Sequence, residues 1–373
     1  MLKTELFKAV VGSDKVAAAK LLSDSKECGD PWALHLALYP VVQRVLNPPF
    51  FNPHWPKVYS ICRELAPYLS EEGEVAALLR VEVNEYAQRP KFEEFPLTSP
   101  GAGDVSFEAV ERAVGALDRQ AAARAMYDFL AKEGKVEFAR RMLLLGSGYL
   151  DKSLGHSISC TAFILLEMME READEAWPAV TCLSDYFCKG EFNKTPKLGP
   201  ARGKGDEDIY SAKLLRACSG TGIVNLHHTL TAYALARTKR FFNEEQRQHL
   251  TGAWLNFMGN KNDRPRELPG YTGQAPESFG EFYETFSTFR EDQTAQMAMG
   301  MLGSPEDRVR LGRYLIKGAL ALYNGNYDPH YLTPLGSTLW LLSDHWRQEE
   351  IFYNGLHQYL GHLFHGLRPK RAL

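Results

Sequence analysis

Histidine is the residue type through which this chain could do chemistry, because neutral imidazole binds iron, zinc or copper. There are eleven: His35, His54, His156, His227, His228, His249, His330, His345, His357, His362 and His365. The stretch from Gly155 to Met168, GHSISCTAFILLEM, is apolar almost all round and predicts a buried helix. Within it His156, Cys160, Phe163 and Glu167 follow the i, i+4, i+7, i+11 rows and share one face. Two ionisable groups on one face of a buried helix need partners, since burying them alone is costly. A short pattern recurs: His156-Ser-Ile-Ser159, His228-Thr-Leu-Thr231 and His330-Tyr-Leu-Thr333, each followed by an apolar run. It suggests several helices that each point a histidine at one centre.

His35 belongs with these, set among Leu34, Leu36 and Leu38. One such histidine is more often a hydrogen-bonded core residue than a ligand; four in one helical chain point to a metal. The second helix offers two choices. On a 3.6-residue wheel His227 faces the stripe of Ile223, Leu226, Leu230 and Ala234, whereas the recurring pattern selects His228, so both stay open. Glu167, Asp328 and Asp344 are the acids that could ligate or orient an imidazole. The remaining histidines read as structural. His54 falls in a proline-rich loop, His249 in the polar run EEQRQH, and His357 and His365 away from the apolar face of the last helix. Gly-x-Gly-x-x-Gly, P-loop, Gly-x-Ser-x-Gly and His-Glu-x-x-His patterns are all missing, which leaves dinucleotide, hydrolase-elbow and zincin chemistry unsupported.

The elements that must position these residues read as helices throughout. Segments 2–11 and 15–22 form a helical pair joined at Gly12-Ser13-Asp14, and 32–39 follows, ended or kinked at Pro40. Residues 47–56, NPPFFNPHWP, are a rigid loop, read as surface packing or as the rim of a pocket. Helices are predicted over 58–69, 72–86, 107–117, 121–132, 136–145, 174–188, 223–237, 243–258, 281–302, 305–323, 335–343 and 346–367. Two Gly-, Pro- and charge-rich segments, 190–208 and 259–280, are predicted to be mobile, the second as a lid. No segment alternates as a strand does. The expected fold is all-α, a single domain over 1–373 with a central cavity.

Composition sets limits on function. The 373 residues carry 43 Lys+Arg against 46 Asp+Glu, a net charge of −3, which argues against a dedicated nucleic-acid binder. Six cysteines form no Cys-x-x-Cys pair, so zinc knuckles and thioredoxin-type sites are unsupported. No signal-peptide h-region and no run of about 18 apolar residues is seen, so a cytoplasmic protein without a membrane span is expected.

Three features together resemble the questin oxidase-like family. These are His35 in Leu-His-Leu-Ala-Leu-Tyr, Leu144-Leu-Gly with Gly155-His156 before a buried helix, and His228-Thr-Leu-Thr-Ala-Tyr-Ala-Leu235. The resemblance implies a mostly helical, non-haem iron oxygenase that cleaves or oxygenates anthraquinone-type aromatics. It implies His35, His156, His228 and His330 as metal ligands. Partners would be O2 and a small aromatic substrate, with NADPH as a conceivable reductant. The proline-rich insertion after Tyr39 and the short chain depart from the family pattern. Glu167 is the expected acid at the site. The rival expectations are a non-catalytic helical scaffold and a metal-dependent hydrolase.

Overall fold

The computed structural model describes residues 2–24, 30–69, 71–96, 104–172, 174–190, 192, 194–197, 207–259, 261, 263–270 and 273–369. Among them the expected all-α fold is what forms. There are eighteen α-helices, no strand, and only two isolated bridges, Val45 to Lys91 and Asn47 to Phe50. In chain order the helices are α1 Leu2–Val11, α2 Lys15–Asp24, α3 Pro31–Ala37, α4 Tyr39–Val42, α5 His54–Leu65 and α6 Glu72–Gln88. Then come α7 Phe107–Gly115, α8 Arg119–Ser147, α9 His156–Met169, α10 Trp177–Phe187, α11 Glu207–Cys218 and α12 Ile223–Thr238. The last six are α13 Glu244–Met258, α14 Phe279–Ser287, α15 Glu291–Gly300, α16 Pro305–Ala321, α17 Thr333–Asp344 and α18 Glu349–Leu367. None is long and apolar enough to cross a membrane.

Short polar side chains start many of these helices by accepting otherwise orphaned backbone N–H groups. Asp30 accepts from Trp32 at 2.9 Å, Ser106 from Ala109 at 3.3 Å, Asp118 from Ala121 at 3.0 Å and Ser304 from Asp307 at 3.0 Å. Pro31 and Pro305 sit in first turns, where a missing N–H costs nothing.

The chain divides into two compact units. The first is Met1–Ser60, Leu79–Gly203 and Ala234–Phe257; the second is Ile61–Leu78, Lys204–Tyr233 and Met258–Leu373. In the first unit α9, buried on every side down to Met168, packs against α8 and α10. In the second, α18 is the central helix, packed by α11, α15 and α17.

Several boundaries differ from the sequence reading for local reasons. The two helices expected over 121–132 and 136–145 are present as the two halves of α8, each longer than expected and separated by Gly134 at φ 82°, ψ 167°, a conformation only glycine adopts easily. The single helix expected over 281–302 is two, α14 and α15, because Phe289 turns to φ 57° between them. α5 begins one turn earlier than expected, at His54, and α11 was not expected at all. The expectation that 190–208 is mobile falls mainly on residues outside the described ones. In the second loop 260, 262, 271 and 272 also lie outside them. There the Arg266 N–H donates to Asn354 Oδ1 at 2.8 Å, and Asn354 Nδ2 donates to the Arg266 carbonyl at 3.2 Å.

Candidate functional site

Among the described residues each unit brings one pair of buried imidazoles together, nitrogen to nitrogen. In the first unit His156 opens α9 after a strained turn. Leu154 at φ 52° and Gly155 at φ 77° are both left-handed, which for leucine is uncommon and costs energy. The turn lets Ser153 Oγ accept the Ser157 N–H at 3.0 Å and brings the Ser153 carbonyl within 2.7 Å of His156 Nδ1. A carbonyl only accepts, so Nδ1 carries the proton and Nε2 keeps its lone pair. That lone pair points at Nε2 of His54, 2.7 Å away. His54 Nδ1 lies 3.1 Å from the Asn52 carbonyl and 3.3 Å from Asn47 Nδ2.

In the second unit the constraint is tighter. His227 Nδ1 lies 2.6 Å from the Ile223 carbonyl one turn back on α12. His330 Nδ1 lies 2.6 Å from Asp328 Oδ1, and the same oxygen accepts the His330 backbone N–H at 2.9 Å. Both Nδ1 atoms therefore donate, and the two Nε2 atoms face each other at 3.2 Å with their rings at 71°. Burial pushes the Asp328 carboxyl up, but the hydrogen bonds and charge of His330 outweigh it and hold it below the usual carboxylate range. His362, 6.1 Å from the His330 ring, is driven to about 4 by burial and by the neighbouring His330.

Two lone pairs cannot face each other at these distances without a cation or a proton between them. Nitrogens 2.0–2.1 Å from a shared metal, at angles from 90° to tetrahedral, would stand about 2.8–3.4 Å apart. The His227–His330 spacing falls within that range, and the His54–His156 spacing is slightly shorter. Each pair by itself is made of buried residues of metal-ligating type.

The structure places the other expected site residues elsewhere. His35, expected as a ligand, gives its Nδ1 to Glu82 Oε2 at 3.0 Å, with both side chains buried, and stacks on Tyr59 at 4.0 Å. Glu82 is held in turn by the Tyr86 hydroxyl at 2.7 Å. Glu167, the expected acid, is buried and takes Arg171 Nε at 3.0 Å and Nη2 at 2.7 Å; Arg171 also reaches the Tyr59 hydroxyl at 2.7 Å. His228 is buried, but it is His227 that meets His330. Asp344 accepts from Trp340 Nε1 at 3.1 Å. His357, expected on a solvated face, is buried with its Nδ1 2.7 Å from Glu291 Oε1. Glu291 and Asp292 beside it already hold Arg266.

Sequence reading missed His54 and Lys57. Pro53 and Pro56 beside His54 suggest a loop, yet proline is well tolerated in the first turn of a helix. The available signal was spacing: His54, Val58, Ile61, Cys62 and Leu65 continue the apolar row of α5 back by one turn. Lys57, in the same turn, is fully buried, and burial lowers its pKa. Its Nζ lies 3.5 Å from Ser159 Oγ on α9. The Cys160 thiol near it is pushed up by burial to about 11.

Comparison with protein-family models, with curated proteins and with solved structures finds no match.

Proposed function

We propose that the protein is a metal-dependent oxygenase in which buried imidazoles hold a non-haem iron, acting on an aromatic or quinone-type small molecule. One observation carries the reading. His227 and His330 both commit Nδ1 to an oxygen acceptor and turn Nε2 toward each other at 3.2 Å. An all-imidazole set suits iron, zinc or copper and does not suit calcium or magnesium. The likeness of the His156 and His228 segments to questin oxidase-like sequences favours iron among these.

Iron bound there would supply the one-electron chemistry that O2 activation requires. The chain's own residues do the rest. Asp328 and the Ile223 carbonyl fix the tautomer and orientation of His330 and His227 and raise their basicity. Ser153 does the same for His156. Any reductant, NADPH included, would bind without a Rossmann fingerprint, since the chain has none.

A second reading has one observation in its favour. Asn47 Nδ2, 3.3 Å from His54 Nδ1, can donate to it. His54 Nε2 would then carry the proton, and its contact with His156 would be an ordinary hydrogen bond within a helical scaffold. Metal analysis separates the readings. The protein is purified from iron-supplemented and zinc-supplemented cells, and metal per chain is measured for wild type, His156→Ala and His227→Ala at matched folded fraction. Stoichiometric iron lost in the variants, with O2 uptake on a phenol and quinone panel, is expected. Wild type free of transition metal would overturn the proposal. Zinc with no O2 uptake would point to hydrolysis by a bound water instead.

A further inference from the structure

We propose that Lys57 and Ser159 form a binding site for the anionic oxygen of a small organic acid, one helical turn from the His54–His156 pair. The inference deepens the oxygenase reading and rests on it only in calling that acid the substrate.

Lys57 and Ser159 are both completely buried. Among the described residues Lys57 has one hydrogen-bond contact, the long one of 3.5 Å to Ser159 Oγ, and no carboxylate lies within ion-pair reach. Every other buried or half-buried cation named above has an acid or a carbonyl beside it, as Arg171 has Glu167. Ser159 Oγ accepts from Lys57, and its own hydroxyl proton has only the weakly accepting sulfur of Cys160 beside it. Spare N–H groups of Lys57 and the weakly engaged O–H of Ser159 therefore stand together in a dry place. Buried donors are satisfied in native proteins, and a cluster of donors without acceptors calls for an anion.

The spacing ties this cluster to the imidazoles. His54 and Lys57 are three residues apart on α5, and His156 and Ser159 three apart on α9, so on each helix the two share a face. One turn is about 5.4 Å, which would set an anionic oxygen roughly that far along from the facing Nε2 atoms. A carboxylate or phenolate held there would present its ring or chain to the imidazole pair.

The test uses the full chain, as purified and after removal of metal by chelation. Dissociation constants are measured by calorimetry for benzoate, for 4-nitrophenolate and for neutral benzamide. Wild type should bind at least one of the two anions and prefer it clearly over benzamide; which one binds identifies carboxylate or phenolate as the source. Lys57→Met should weaken that anion about tenfold or more, the loss expected for one charge-assisted hydrogen bond, and Ser159→Ala should weaken it about three- to tenfold. Benzamide should be unaffected by either change. Anion affinity equal in wild type and both variants, no anion binding to wild type, or benzamide bound as well as benzoate would overturn the inference. If the protein as purified holds no metal and still binds the anion in a Lys57-dependent way, this site stands and the oxygenase reading falls. If metal is held but Lys57 makes no difference, the reverse is true.

Discussion

Gly146 lies on α8 where it crosses the start of α9, and replacing it by alanine should move the His156 helix. A Cβ built on Gly146 collides with the carbonyl oxygen of Ser157 and stands 3.2 Å from its carbon. Both atoms are backbone, so no side chain can swing away, and the helices must part. A parting of roughly 0.5–1 Å forfeits a quarter to a half of the dispersion energy along that seam. The expected cost is about 1–3 kcal/mol, as for overpacking in a well-filled core. Because Ser157 follows His156 directly, the same shift lengthens the 2.7 Å separation of the His54 and His156 nitrogens. A bound metal should weaken by on the order of 10–100-fold, the loss seen when support for a ligand is removed. Gly134→Ala is the control. It has open space around its Cβ position, and its penalty of about 1–3 kcal/mol is backbone strain alone. The assay is urea unfolding of both variants with chelator present, paired with metal competition against a chromophoric chelator. Equal destabilisation with metal loss confined to Gly146→Ala is expected. Wild-type metal affinity in Gly146→Ala, or equal metal loss in both, would refute the reasoning.

The other predictions concern buried charge and thiols. Glu167→Gln should lower stability by about 3–5 kcal/mol by leaving Arg171 without its acid, read by denaturant midpoint, while metal content is unchanged if the pair is structural. Burial raises the pKa of Glu74, but hydrogen bonds from Arg313 and Lys317 outweigh it and hold it low. Its stabilisation is therefore present above the unfolded value of about 4.3 and is lost as pH falls through the depressed folded value. The stability difference between wild type and Glu74→Gln, measured by urea unfolding at pH 6 and pH 3, should shrink at the lower pH; a constant difference would contradict the assignment. Cys62, Cys160, Cys182, Cys188 and Cys218 are all buried, and burial raises Cys188 and Cys218 to about 12. In a Cys28→Ser background, which removes the one cysteine outside the described residues, no thiol should react with an aromatic disulfide reagent until the chain unfolds. Rapid reaction of the native protein would show that one of the five is reachable.

Helices were legible in the sequence because their causes are local. An apolar row every three to four residues and a capping side chain act within one or two turns. So 2–11, 15–22 and the all-buried His156 helix could be placed from the residues alone, and His156 and His330 could be marked by their apolar setting. Asp328 was recognisable as a partner for His330 because the two are neighbours in sequence. Breaks caused by one residue taking positive φ were half legible: glycine at 134 announces itself, whereas Phe289 does not. The identity of the partners was not legible. His227 and His228 differ by about 100° on the same helix, and only the position of His330, 103 residues on, selects between them. His54 meets His156 across 102 residues, and His35, equally apolar in its surroundings, is taken by Glu82 instead. The sequence by itself determined the helices and the buried setting of His35, His156 and His330; tertiary packing buried His54, Lys57 and His357 and decided which buried nitrogen faced which, because pairing depends on where distant helices cross and no periodicity within one helix encodes that.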